Sequence, residues 1–213
     1  MNFVFPKVYP ILDASCIPAA ERVSFLHGLG CSLADAGVTL LEYRNKTGTE
    51  SELFADAQIL RAAMPAGQVK LILDDRADLV ERIGFDGVHV DAGDLSPAGA
   101  RHLLGPDRIV GTYGGTESIL QGILSEPADY FSVGPIGPTI TKETTKRPIG
   151  ADGVRSLRVQ AGPGPVLVAA GGVTLELARA VLAAGANTVA VSAALFRTPD
   201  AAAEFRRWLA AIG

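Results

Sequence analysis

Short apolar runs recur along the chain, and a longer stretch with helical spacing follows each one. The runs are YPILD at 9–13, TLLEYR at 39–44, KLILD at 70–74 and GVHV at 87–90. RIVGT at 108–112, YFSVG at 130–134, VLVAA at 166–170 and TVAVSA at 188–193 continue the series to eight. Near-continuous apolar runs of this length suit strands buried on both faces, and their alternation with helical segments implies parallel strands joined by crossover helices. The spacing predicts helices over 19–36, 50–64, 76–83, 97–104, 116–125, 151–160, 174–184 and 199–212. In the first, Val23, Leu26, Leu29 and Leu33 form the apolar stripe; in the second, Leu53, Ala57 and Leu60 do. Thr49, Thr116, Thr174 and the pair Thr198 and Pro199 stand where N-caps belong.

Eight strand–helix units in one chain predict an α/β fold, a single (β/α)8 TIM barrel over residues 1–213, in preference to an open doubly wound sheet. The 213 residues fit that architecture, which takes roughly 200–250. No linker, low-complexity tract or strong internal sequence repeat interrupts the series.

Composition narrows the function classes. With 48% hydrophobic and 20% charged residues the chain is globular, not disordered. A net charge of −4 argues against a general nucleic-acid binder, which needs a basic face, while leaving room for a small basic pocket. Cys16 and Cys31 belong to no metal-ligand spacing and read as free, buried thiols. With no leader-like N-terminus and no apolar run of about 18 residues, a cytoplasmic protein without a membrane span is expected. A homo-oligomer is compatible with all of this.

Barrel active sites gather where strands end and βα loops begin, so the polar residues at those ends are the candidates. After the second run come Glu42, Tyr43, Arg44, Asn45 and Lys46; alternation places Arg44 and Lys46 on one side, where two cations suit an anionic ligand, unless they are a solvated loop pair. After the third come Asp74, Asp75 and Arg76, and after the fourth His89, Asp91 and Asp94. Carboxylates from adjacent strand ends make a natural Mg²⁺ site completed by water and phosphate, but Asp74, Asp75 and Asp94 could instead cap helices. His89 alternates with Val88 and Val90 and could face the barrel interior, as a hydrogen-bonded core histidine or as a ligand contact. The long segment from Gly134 to Arg147, rich in glycine, threonine and lysine, reads as a phosphate-binding lid or as a surface loop. Gly171 and Gly172 after the seventh run and Ser192 after the eighth occupy the common phosphate site of this fold. Two anion sites and one metal site across one barrel mouth suit a diphosphate on one side and a monophosphate on the other.

These motifs together resemble thiamine phosphate synthase, also called thiamine-phosphate pyrophosphorylase, nearly end to end. The resemblance is carried by YRNK at 43–46, LDDRADL at 73–79, GVHVDAGDLSPAGAR at 87–101, GPIGPTITK at 134–142, AAGGV at 169–173 and VSA at 191–193. It implies an alkyl transferase that joins hydroxymethylpyrimidine diphosphate to thiazole phosphate with release of pyrophosphate, through a pyrimidine-methyl cation. It implies that Arg44, Lys46 and Lys142 hold the pyrophosphate, that Asp75 and Asp94 bind Mg²⁺, and that His89 lies near the pyrimidine and pyrophosphate. Thr139, Thr141, Gly172 and Ser192 match contacts to the thiazole phosphate and its surroundings.

Three positions depart from the family pattern, which has glutamine where Glu42 stands, asparagine where Asp74 stands and serine where Tyr113 stands. Glu42 and Asp74 add negative charge beside a diphosphate site, where a like-charge contact at about 4 Å costs on the order of 4 kcal/mol at an effective dielectric near 20. The ring of Tyr113 is expected to narrow the pocket. The alternatives are a thiazole tautomerase-like isomerase on the same scaffold and a barrel that binds thiamine phosphate without turnover.

Overall fold

The computed structural model describes residues 3–115, 117–138 and 147–213. Eight parallel strands close into a barrel: β1 (Val8–Asp13), β2 (Leu40–Arg44), β3 (Lys70–Asp74), β4 (Gly87–Val90), β5 (Ile109–Gly115), β6 (Tyr130–Val133), β7 (Leu167–Ala170) and β8 (Thr188–Val191). Each pairs with the next in chain order, and β8 returns to β1 with Tyr9 opposite Ala190. All eight predicted runs are strands of this TIM barrel.

The helices are α1 (Arg22–Asp35), α2 (Glu50–Ala63), α3 (Val80–Ile83), α4 (Pro97–Leu104), α5 (Glu117–Ile123), α6 (Gly150–Ala161), α7 (Leu175–Ala183), α8 (Ala193–Phe196) and α9 (Ala201–Ile212). Thr49 caps α2 in a reciprocal capping box with Glu52, and Thr174 caps α7 through Leu177 N–H. Thr116 lies outside the described residues. The last helix departs from expectation: Asp200, not Thr198 or Pro199, accepts from Ala203 N–H, and Thr198 Oγ1 instead donates to Leu195 O at 2.6 Å. The predicted stripe of α1 is shifted as well. Val23 is 66% exposed, while Leu26, Gly30, Leu33 and Ala34 are buried. Gly30 explains the shift, because a Cβ there would sit 2.7 Å from Ala63 Cβ, so α1 turns its glycine face to α2 for close approach.

Strand alternation separates two apolar cores. Outward-facing Leu12, Leu41, Leu73, Val88, Val110, Phe131, Leu167 and Val189 pack under the helices. Inward-facing Tyr9, Leu40, Ile72, Ile109, Tyr130, Val168 and Ala190 fill the barrel, with Phe3 and Phe5 packed against them. Gly111 is required there, since a Cβ would fall 1.9 Å from the Tyr130 ring. Among the described residues the interior is therefore packed toward the N-terminal strand ends, and the cavity lies at the C-terminal ends.

The strand starts carry a structural repeat with no counterpart in an obvious sequence repeat. Arg61 of α2, Arg101 of α4 and Arg158 of α6 each tie the end of their own helix to the two strands that follow. Their Nη1 groups donate to Met64 O and Val69 O, to Gly105 O and Arg108 O, and to Gly162 O and Pro165 O respectively. Their Nη2 groups bond Asp86, Asp129 and Asn187, whose side-chain oxygens also accept from Leu71, Val110 and Leu167 N–H. Each clamp satisfies backbone groups that a strand entering the sheet would leave open.

Candidate active site

The inward parity that fills the barrel with Tyr9, Leu40 and Ile72 carries on up the strands and places polar side chains above them. These line a cavity of about 1430 Å³ at the C-terminal ends, walled by residues from all eight strands or the loops after them. Arg44 and Lys46 do lie on one side, as alternation predicts, and both reach Asp74: Arg44 Nε is 3.2 Å and Lys46 Nζ 3.1 Å from Asp74 Oδ2. Arg44 also pairs with Asp13, and Lys46 with Asp75. Tyr43 points the other way and bonds Asp56 beneath α2. Loss of water would depress the Lys46 ammonium, but Asp74 and Asp75 outweigh it and hold the group above the usual lysine range.

The helix-cap reading of the acids does not hold. Ser96 Oγ caps α4 through Gly99 N–H, and the short turn at Ala77–Leu79 begins at Arg76 with no side-chain cap. Asp75 instead adopts φ 69°, the left-handed region that a non-glycine residue occupies at a cost, with its amide donating to His89 O at 2.8 Å. Its Oδ1 is buried without a hydrogen-bond partner among the described residues. Asp94 accepts from Asp91 N–H at 2.8 Å. Burial first, and then the adjoining Asp75, pushes the Asp94 carboxyl up. Among the described residues no three His, Cys, Asp or Glu side chains form a metal-holding group.

Below this rim lies a buried polar layer. His89 Nδ1 is 3.0 Å from Tyr130 Oη, its ring stacks on that of Tyr130, and Nε2 lies 3.7 Å from Asp91 Oδ1. Burial alone would lower the imidazole, but Asp91, Glu42 and Asp74 overcome it and push it up to about 9. Glu42 is 4% exposed, with Tyr9 Oη at 3.5 Å from Oε2. Burial pushes its carboxyl up to about 7, with Asp74 and Asp91 adding and His89 opposing. His89 thus lines the cavity and has a hydrogen-bond partner in Tyr130.

The opposite wall has a different character. Gly171 and Gly172 take φ 83° and 67°, and a Cβ on Gly172 would sit 2.4 Å from both Gly137 O and Pro138 O, so only glycine lets the loop after β7 pack under that segment. Ser192 Oγ is buried with no partner among the described residues. Tyr113 lines this wall, and its Oη donates to Gly134 O at 2.9 Å. Thr139, Thr141 and Lys142 lie outside the described residues.

The sequence reading missed several groups the fold brings in. Asp13, Tyr9 and Tyr130 share the inward parity of their strands, and that parity was the signal available for them. Arg197 lines the cavity from just after α8, a single turn with no sequence periodicity of its own. Cys16 and Cys31 are free, as expected, but partly exposed instead of buried: one sits in the loop after β1 and the other on α1.

The family model for thiamine monophosphate synthase matches residues 9–195, which takes in all eight strands but the first residue of β1. The chain belongs to the thiamine monophosphate synthase family. Curated family members agree with this. The thiamine-phosphate synthase of Koribacter versatilis is 42% identical over 94% of each chain, and that of Agrobacterium fabrum is 34% identical over 95% of this chain and 91% of its own. Among solved structures, a thiamine phosphate pyrophosphorylase from Pyrococcus furiosus superposes with a TM-score of 0.82 at 23% identity, covering 97% of this chain and 95% of that one. Among the described residues no helix is long and apolar enough to cross a membrane.

Proposed function

We propose that this family member is a thiamine-phosphate synthase, a transferase that takes hydroxymethylpyrimidine diphosphate and thiazole phosphate as substrates. The observation that carries the reading is the division of one cavity into two unlike halves. Among the described residues, the ends of β2–β4 supply Arg44, with Lys46 beside it on Asp74, and carboxylates, and the ends of β7 and β8 supply glycines, a buried hydroxyl without a partner and no carboxylate.

In this reading Arg44 and Lys46, with Lys142 from the segment after β6, hold the diphosphate. Asp75 and Asp94 suit Mg²⁺, which favours a few oxygen ligands from the protein; the buried Asp75 Oδ1, without a partner among the described residues, fits such a ligand. Bound there, Mg²⁺ would supply positive charge to the departing pyrophosphate. Glu42, Asp74 and His89 form the floor under the pyrimidine. Tyr113, Thr139, Thr141, Gly172 and Ser192 surround the thiazole phosphate. The methylene C–O bond breaks with its electron pair leaving on pyrophosphate, and the thiazole ring nitrogen forms the new C–N bond. A dissociative course through the pyrimidine-methyl cation needs no strong base; it needs cations at the leaving group and a positioned nucleophile.

The test is an assay of the purified protein with both substrates and Mg²⁺, following thiamine phosphate and pyrophosphate. Metal-dependent formation of both in equal amounts is the expected result. A folded protein that binds thiazole phosphate and yields neither product would overturn it in favour of the tautomerase-like alternative.

A further inference from the structure

We propose that Arg197 is the cation of the β7–β8 half of the cavity and clamps the phosphate monoester of the thiazole substrate. The proposal rests on the synthase reading for the identity of that ligand. The carboxylates that line the cavity, Asp13, Glu42, Asp74, Asp91 and Asp94, all come from the ends of β1–β4. In that half Arg44 is already engaged by Asp13 and Asp74. Among the described residues Arg197 is the one charged group that the other half contributes, and no described carboxylate pairs with it. A dianionic phosphate on this side meets an unneutralised guanidinium, whereas on the far side it meets carboxylates.

The local structure positions the group. Leu195 and Phe196 N–H both return to Ser192 O, at 2.9 and 3.0 Å, and Arg197 N–H returns to Ala193 O at 3.1 Å. Leu195 anchors the turn in the core. Ala193 and Ala194 line the cavity, and Arg197 stands four and three residues on, on the same face of the turn. Ser192 Oγ, buried and without a described partner, lies at the start of that turn. A hydroxyl and a forked guanidinium at one cavity wall match the donor needs of a phosphate monoester.

The experiment is calorimetric binding of thiazole phosphate, of the dephosphorylated thiazole alcohol, and of pyrophosphate with Mg²⁺, to wild type, Arg197→Ala and Arg197→Lys. Arg197→Ala is expected to weaken thiazole phosphate on the order of tenfold to a hundredfold. The alcohol and pyrophosphate should bind as in wild type, and Arg197→Lys should recover part of the loss. Unchanged affinity, equal weakening of alcohol and phosphate, or a loss confined to pyrophosphate would each overturn the assignment while the synthase reading stands. Wild type that makes no thiamine phosphate but loses thiazole phosphate binding with Arg197→Ala would overturn the synthase reading and keep this one. Wild type that does not bind thiazole phosphate would end both.

Discussion

Arg44 Nε lies 3.2 Å from Asp74 Oδ2, so a cation assigned to the substrate diphosphate is already paired with a carboxylate. Lys46 shares the same oxygen. A diphosphate must therefore compete with Asp74 for both cations. Asp74→Asn removes the competing charge and keeps the shape of the side chain. It is expected to lower the KM for the pyrimidine diphosphate several-fold, and Glu42→Gln added to it should lower it further. Steady-state kinetics with saturating thiazole phosphate measures this. An unchanged or higher KM would mean that the acids are matched to the ligand this cavity holds.

Asp75 tests the metal-side assignment without disturbing the backbone. Its left-handed φ of 69° is one that asparagine tolerates better than alanine, so Asp75→Asn keeps the conformation and removes the charge. A turnover loss of about 10²–10³ is expected, the range for removing one preorganised electrostatic contact, with little change in Tm. Lys142→Ala should behave in the same way. Wild-type turnover in both variants would sink the assignment of the diphosphate half.

The strands were legible from their near-continuous apolar runs and the sidedness of Arg44 and Lys46 from side-chain alternation, both properties of the local chain. What alternation could not supply was vertical position. Tyr9, Ile11 and Asp13 share one parity, yet only closure of the barrel shows that Tyr9 is packed core and Asp13 meets Arg44. Nor could spacing decide whether Asp74, Asp75 and Asp94 cap helices, because an acid before a helix looks the same in either role. Arg197 was hidden for another reason: α8 is a four-residue turn fused to the end of an apolar run, too short to show a period.

The buried layer should make stability depend on pH. The Glu42 carboxyl is raised to about 7 from an ordinary 4.5, so the fold favours its protonated form. Its contribution is fully present below 4.5 and is lost as pH rises through 7. His89, raised to about 9, contributes fully below 6.5 and loses its part as pH rises through 9. Both run in the same direction. Glu42→Gln removes the first, so the Tm advantage of the variant over wild type should widen between pH 5 and pH 8. A pH-independent difference would show that Glu42 is no more easily protonated in the folded chain than in the unfolded one.

The clamps at the strand starts predict effects on stability that spare catalysis, because they sit on the face away from the cavity. Asp86 accepts from Leu71 N–H at 3.0 Å and from Lys70 Nζ at 2.8 Å, and it pairs with Arg61. Asp86→Ala leaves a mostly buried guanidinium and a strand amide without that acceptor, a loss of roughly 2–4 kcal/mol. For a chain of this size that lowers Tm by roughly 5–15 °C. Turnover per folded molecule at low temperature should stay at the wild-type level. The third clamp offers the reverse experiment, since Asn187 stands where the other two have aspartate and the Arg158 guanidinium is lowered by burial. Asn187→Asp gives that guanidinium a charged partner and keeps the acceptor for Leu167 N–H, for a gain of roughly 0.5–1 kcal/mol, discounted for solvent screening. Thermal melts of the two variants side by side measure both effects. If Asn187→Asp melts below wild type, the amide nitrogen of Asn187 makes a contact worth more than the added charge, and the three clamps are not equivalent.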